Sequence, residues 1–174
     1  MSGTSGTGGA ASGGTGGGLA VCGNNTGADE GVACNAIVPS GPCPTITFAT
    51  GSPAAATGGP WTAGTYELTS RTIYNAPDGG GEESARRETV VVTGSGNSFT
   101  VEMAQQSGTM LRRQSGTVTT SGTPQFTFTP TCPPAGDGGD SGGTMDYTIS
   151  GSTISIYDMG GSNGTIRVDV YTKR

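Results

Sequence analysis

The run Gly139-Asp140-Ser141-Gly142-Gly143 matches the motif around the nucleophilic serine of trypsin-like proteases. In those enzymes a histidine takes the proton of the serine hydroxyl. This chain contains no histidine, so that chemistry has no base here. We therefore interpret the run as part of a glycine-rich loop. The same absence excludes histidine-based metal sites and histidine-paired cysteine proteases.

The remaining candidates for chemistry are carboxylates in two glycine-rich stretches. Asp78, Glu82 and Glu83 lie in the first stretch, and Asp137 and Asp140 lie in the second. Such oxygens suit Ca²⁺, but neither stretch has the D-x-[DN]-x-[DN]-G spacing that encloses the ion. We therefore predict no metal, no cofactor and no catalysis. A carboxylate-based enzyme is the less favoured alternative.

Charge and hydropathy narrow the classes of partner. The formal net charge is −5, and the eight cationic side chains form no basic stripe, whereas nucleic-acid binding needs clustered cations. The longest aliphatic run in the domain is Val90-Val91-Val92, far short of the ~20 apolar residues of a membrane-spanning helix. The sequence thus predicts neither a nucleic-acid partner nor a transmembrane helix.

The four cysteines, Cys22, Cys34, Cys43 and Cys132, predict disulfides and an oxidising compartment. Their spacing is not that of a zinc site, and no histidine completes one. Four cysteines allow three connectivities, and the spacing alone does not choose among them.

Composition divides the chain into three parts. Residues 2–18 contain only Gly, Ser, Thr and Ala, which predicts a flexible tether over residues 1–18. Residues 19–60 carry three cysteines and five prolines, which indicates irregular structure tied by disulfides, with one strand near 45–48. Residues 61–174 hold most of the large apolar side chains at strand-like spacing and form the predicted folded domain.

Period-2 alternation in this third part predicts an all-β fold. Short connections rich in Gly and Asn predict hairpins between sequential strands. The preferred architecture is an eight-stranded antiparallel up-and-down barrel, and the alternative is a β-sandwich. The predicted strands span 64–74, 86–93, 98–106, 109–120, 124–131, 144–150, 153–158 and 165–172.

The alternation also assigns faces to the side chains. Five aromatic residues, expected to leave little free volume inside the barrel, belong to the predicted inner face. That face comprises Tyr66, Leu68, Val90, Val92, Phe99, Val101, Met103, Val118, Phe126, Phe128, Tyr147, Ile149, Ile154, Ile156, Ile166, Val168 and Val170. The predicted outer face includes Arg167 and Asp169 on the last strand. Trp61 is expected at one barrel end, either as a plug of the core or as part of a binding rim.

From Gly58 onward the chain resembles a group of Gly/Thr-rich exported proteins of myxobacteria, often lipoproteins. The resemblance covers about two-thirds of the chain together with Cys34-Asn35, and its motifs are structural. The stretches that carry it are 58–70 (GGPWTAGTYELTS), 87–92 (RETVVV), 115–118 (SGTV) and 126–133 (FTFTPTCP).

The resemblance implies a lipocalin-like barrel, export to the cell envelope or the outside, and a lipid anchor upstream of these residues. It also implies that Cys34 pairs with Cys132, which leaves Cys22 for Cys43. No catalytic or ligand-binding residue is carried over from the family. We therefore expect an exported barrel with a binding or structural role, or alternatively a carrier of a small hydrophobic ligand in the lumen.

If the protein has a binding role outside the lumen, we expect binding at the long loops. Loops carried by a rigid scaffold commonly hold recognition residues. We therefore expect a rim formed by residues 75–85 and 132–143. Its candidate binding residues are Asp78, Glu82, Glu83, Asp137, Asp140 and Trp61.

Overall fold

The computed structural model describes residues 22, 34–76, 85–133, 142–159 and 164–174. In these residues it contains nine strands and no helix. The strands are β1 (Ile46–Ala49), β2 (Gly64–Tyr74), β3 (Arg87–Ser95), β4 (Ser98–Ser107), β5 (Met110–Thr120), β6 (Gln125–Cys132), β7 (Gly143–Ser150), β8 (Thr153–Asp158) and β9 (Ile166–Lys173). The predicted tether over residues 1–18 lies outside the described residues.

Strands β2 to β9 form an antiparallel up-and-down barrel, as the sequence predicts. Each strand pairs with the next along the chain, and β2 pairs with β9 from Tyr66↔Lys173 to Tyr74↔Ile166. This last pairing closes the sheet on itself and excludes the β-sandwich alternative. All eight predicted strands are present with their ends shifted by no more than a few residues.

Tight turns require glycine at two positions. Gly96 joins β3 to β4 with a φ of 74°, and Gly151 joins β7 to β8 with a φ of 59°. Both values lie in the left-handed region, where a side chain is strained. These turns lie at one end of the barrel, which we call the turn end. Residues 75–86, 133–142 and 159–165 connect strands at the opposite end, the loop end.

Strand β1 is the ninth strand and is parallel to its neighbour. It pairs with Arg71 to Tyr74 of β2, whereas β3 pairs only with Gly64 to Glu67. Strand β1 thus pairs with the part of the β2 edge that β3 does not cover. This segment was predicted as a strand, but its place in the sheet was not.

The residues before β1 pack along the outside of the barrel. The Asn35 side-chain amide donates to the backbone carbonyls of Met103 and Gln114, at 3.2 and 3.0 Å. Disulfides join Cys34 to Cys132 and Cys22 to Cys43. The connectivity implied by the family resemblance is therefore confirmed.

The face assignment on β9 is wrong. Ile166, Val168 and Val170 were predicted to point inward, yet the register pairs Asp169 with Ile156 of β8 and with Arg71 of β2. Arg167, Asp169 and Tyr171 face the interior instead, and Asp169 is only 4% exposed. The physical reason is a β-bulge between Leu68 and Ser70. After the bulge the alternating side chains of β2 exchange faces, so that Arg71 points into the barrel.

Candidate functional site

The barrel interior contains a partly open cavity of about 390 Å³. The expectation of a largely filled interior is therefore wrong. The aromatic side chains crowd toward the turn end, and the space remains beside and beyond them. A volume of this size falls within the range of small-molecule sites, roughly 300–1,000 Å³.

Aromatic rings pack together at the turn end, where Trp61 and Phe126 line the cavity. The Trp61 ring lies 5.3 Å from that of Phe126, 5.7 Å from that of Tyr147 and 6.1 Å from that of Phe99, measured between centroids. Tilted and edge-on arrangements at these distances are favourable for aromatic pairs. We call this part, with Tyr66, the aromatic half of the interior.

Charged side chains form the opposite part of the wall, toward the loop end. Two arginines, three carboxylates and one tyrosine line the cavity there, and a third arginine binds one of the carboxylates without lining the cavity. We call this set the ionic half. It consists of Arg71, Arg86, Glu88, Asp158, Arg167, Asp169 and Tyr171.

The Asp169 carboxylate is the centre of the ionic half. Arg71 binds it through two hydrogen bonds, Nε to Oδ1 at 2.7 Å and Nη2 to Oδ2 at 2.9 Å. Arg86 Nη2 lies 3.2 Å from the same Oδ2, and Arg167 Nε lies 3.4 Å from it. Paired, forked contacts of this kind are among the strongest hydrogen bonds in proteins. They explain how a carboxylate is accommodated with so little exposure.

Glu88 is the second buried carboxylate. Its Oε1 accepts a hydrogen bond of 2.9 Å from the Tyr171 hydroxyl, and its Oε2 lies 3.1 Å from Arg86 Nε. Arg86 therefore bridges Glu88 and Asp169. The result is one continuous network across β2, β3 and β9.

Two pKa values are shifted by this network. Burial, followed by the negative charges of Glu88 and Asp169, raises the pKa of Tyr171 well above its ordinary value. For Arg86 burial alone acts to lower the pKa, but the surrounding Glu88, Tyr171 and Asp169 outweigh it and raise the pKa. Tyr171 therefore stays protonated and neutral at physiological pH, and Arg86 stays charged.

Arg167 and Asp158 form the outermost pair of the ionic half. Arg167 Nη2 lies 2.5 Å from Asp158 Oδ2, and their side chains are 29% and 40% exposed. Counted together, the three arginines balance the three carboxylates. The ionic half as a set, with Arg71 included, is thus strongly polar but carries no net charge.

Two uncharged N–H donors on the cavity wall lack an acceptor in the described part of the chain. Trp61 Nε1 and Gln114 Nε2 are buried, and neither has a hydrogen-bond partner among the described residues. Trp61 is 9% exposed and Gln114 is 2% exposed, and both line the cavity. A buried donor without an acceptor is unfavourable, by about 1–3 kcal/mol.

The predicted rim residues are only partly described. Asp78, Glu82, Glu83, Asp137 and Asp140 lie outside the described residues, so their role in binding stays a prediction. Trp61 does not lie with the long connections. It is buried in the core at the turn end. Of the protease-like run, Gly142 and Gly143 are described, and Gly143 begins β7.

Sequence reasoning missed the ionic half. One signal for Arg71 was present, because the apolar Ile73 falls out of phase with Tyr66 and Leu68 and so indicates a bulge between them. Nothing comparable marked Glu88, since a charged residue at a strand start is normally assigned to water.

Comparison with protein-family models, with characterised proteins and with solved structures finds no match to this chain. Among the described residues, no cluster of three or more His, Cys, Asp or Glu side chains could hold a metal ion. No helix in that part of the chain is long and apolar enough to cross a membrane.

Proposed function

We propose that the barrel binds a small, largely apolar molecule in its interior. The observation that carries this proposal is the cavity of about 390 Å³, bounded by aromatic and aliphatic side chains on one side and by a charge-balanced network on the other. Concave, mainly apolar sites with a few placed polar groups are typical of small-molecule binding. The proposed role is binding rather than catalysis.

We further propose that the protein is exported and acts at the cell envelope or outside the cell. Two disulfides fit an oxidising compartment. The Gly/Thr-rich sequence and its resemblance to exported, often lipid-anchored, lipocalin-like proteins support the same location. A hydrophobic molecule that must pass through water there would be shielded inside the barrel.

Binding is tested by titrating the purified protein with N-phenyl-1-naphthylamine, a neutral fluorescent probe, alongside native mass spectrometry of protein isolated from its source. We expect one-to-one binding or a retained small molecule. A Met103→Trp variant should abolish binding because this side chain lines the cavity. Thr100→Trp is the matched control, since Thr100 lies on the exposed face of the same strand.

Circular dichroism must show that both variants keep the β-sheet signal. Binding that survives Met103→Trp, or is lost equally in Thr100→Trp, would place the probe outside the lumen. A protein that retains nothing and binds no probe would overturn the proposal in favour of a structural role.

A further inference from the structure

Trp61 has an unusual position for the single tryptophan of the chain. Three aromatic rings hold its indole in place, and it is 9% exposed, yet its Nε1–H has no acceptor in the described part of the protein. An indole N–H can only donate a hydrogen bond. What satisfies it must therefore be an acceptor atom that enters the cavity.

The neighbouring hydroxyls do not have this property. The Tyr66 hydroxyl donates to the Thr62 carbonyl at 2.8 Å, and the Tyr147 hydroxyl donates to the Gly59 carbonyl at 2.9 Å. The aromatic half thus keeps two polar groups satisfied within the protein and leaves one donor on the cavity wall. Gln114 Nε2 is a second donor of the same kind, placed on β5.

The ionic half adds a condition on charge. Each guanidinium of Arg86 and Arg167 already lies within 3.4 Å of carboxylate oxygens, and Arg71 is bound by both oxygens of Asp169. A carboxylate on the ligand would have to approach Glu88, Asp158 and Asp169 as a like charge. A cation would meet Arg86 and Arg167. The wall therefore favours a neutral molecule.

We infer that the ligand is a neutral, largely apolar molecule carrying a carbonyl-class oxygen, and that this oxygen accepts the hydrogen bond of Trp61 Nε1 at the turn end. This inference rests on the proposed lumen binding and names its ligand class. Ketones, esters and lactones with a compact apolar skeleton satisfy it. Plain hydrocarbons lack the acceptor, and fatty acids carry the wrong charge.

The test compares three probes with one skeleton: 2-acetylnaphthalene, 2-ethylnaphthalene and 2-naphthoate. Isothermal titration calorimetry should give the ketone about tenfold tighter binding than the hydrocarbon, because the hydrocarbon leaves the indole donor unsatisfied. The naphthoate should bind at least tenfold more weakly than the ketone.

Trp61→Phe should reduce the ratio of ketone to hydrocarbon affinity from about tenfold to less than about threefold, because it removes the N–H donor that distinguishes the two probes. Tyr147→Phe is the control, because its hydroxyl bonds to Gly59 rather than to the cavity, and it should keep the tenfold preference. Ligand-induced change in Trp61 fluorescence provides a second readout in the unmodified protein.

The outcomes separate the two proposals. Equal binding of ketone and hydrocarbon, a ketone preference that persists in Trp61→Phe, or naphthoate as the tightest probe would overturn this inference while leaving lumen binding intact. Failure of all three probes, together with N-phenyl-1-naphthylamine, would overturn lumen binding itself.

Discussion

The two halves of the barrel interior are built on different physical principles. The aromatic half buries rings that stabilise the fold by removing apolar surface from water. The ionic half buries Asp169 and Glu88, whose charges are paired with arginines and, for Glu88, with a hydrogen bond from the Tyr171 hydroxyl. The stability of the aromatic half depends on how well its apolar side chains fill space. In the ionic half, each buried charge depends on its partner being present.

The two halves should contribute differently to the stability of the fold. Buried ion networks add little net stability compared with apolar packing of the same volume, but removing one member is strongly destabilising. Within the proposed function, the network would therefore act in selecting the ligand rather than in stabilising the fold. The predictions below test whether the two halves differ in this way.

The largest effect is expected from the disulfide that ties the segment before β1 to β6. Cys34 and Cys132 are 98 residues apart, and Cys22 and Cys43 are 21 apart. In the chain-entropy model these bridges contribute about 4.7 and 3.3 kcal/mol, respectively. Replacing each pair by serines and measuring urea unfolding should give the greater loss for the first pair. An equal or reversed order would show that strain or local contacts, not loop closure, set their values.

Asp169→Asn should be the most destabilising single change in the ionic half. It keeps the shape of the side chain but leaves Arg71, Arg86 and Arg167 facing a neutral amide. We expect a loss of about 3–5 kcal/mol in the free energy of unfolding. Asp158→Asn is the control and should lower it by less than ~1 kcal/mol, because that pair is partly exposed to solvent. Similar small losses in both would remove the distinction between the halves.

A double variant sharpens the same point. Arg71→Met combined with Asp169→Leu removes one cation and one anion, so Arg86 keeps Glu88 and Arg167 keeps Asp158. The unfolding free energy should return to within about 1 kcal/mol of the original protein. A double variant as unstable as Asp169→Asn would mean that the network contributes net stability.

These two halves also differ in how far the sequence predicted them. Phe99, Phe126 and Tyr147 were assigned inward correctly, because one alternating set on each of their strands is clearly apolar. On β9 both alternating sets of side chains contain large apolar residues. The alternation rule therefore assigned Val168, and not Tyr171, to the interior. The correct choice depends on the bulge in β2 and on pairing across 98 residues between Arg71 and Asp169, neither of which local alternation encodes.

The candidate binding site was also only partly predictable from the sequence. Trp61 was singled out, but its free N–H could be recognised only once its neighbours were placed. The volume of the cavity could not be predicted from the sequence either. Five inward aromatic residues indicate bulk, but the sequence does not show that they gather at one end. The pairing of the cysteines came from family resemblance and not from their spacing.

Gly116 lies on β5 between Gln114 and Val118, where the two halves meet. A Cβ atom there would lie 2.4 Å from the Phe128 ring and 2.6 Å from the Thr129 carbonyl oxygen. Gly116→Ala should therefore lower the free energy of unfolding by about 1–3 kcal/mol through overpacking. Thr117→Ala, on the other face of the same strand, is the control. A neutral Gly116→Ala would mean that Phe128 moves readily into the cavity.

A modest effect at neutral pH is expected for Tyr171→Phe, which removes one hydrogen bond to Glu88 Oε1. Arg86 remains beside Oε2, so the loss should be about 1.5 kcal/mol near pH 8. Aromatic packing is retained in this variant. The difference therefore isolates the polar contribution of Tyr171 to the ionic half.

Raising the pH should reduce this difference. The pKa of Tyr171 in the folded protein is raised, so above about pH 10 the unfolded chain releases the phenol proton while the folded protein keeps it. The stabilisation is complete below the unfolded pKa and falls by about 1.4 kcal/mol per pH unit toward the folded pKa. The original protein and Tyr171→Phe should thus approach equal stability near pH 11 in urea unfolding. The other tyrosines are common to both proteins and cancel, so a difference that stays constant from pH 8 to 11 would show that Tyr171 titrates normally and is not part of a buried network.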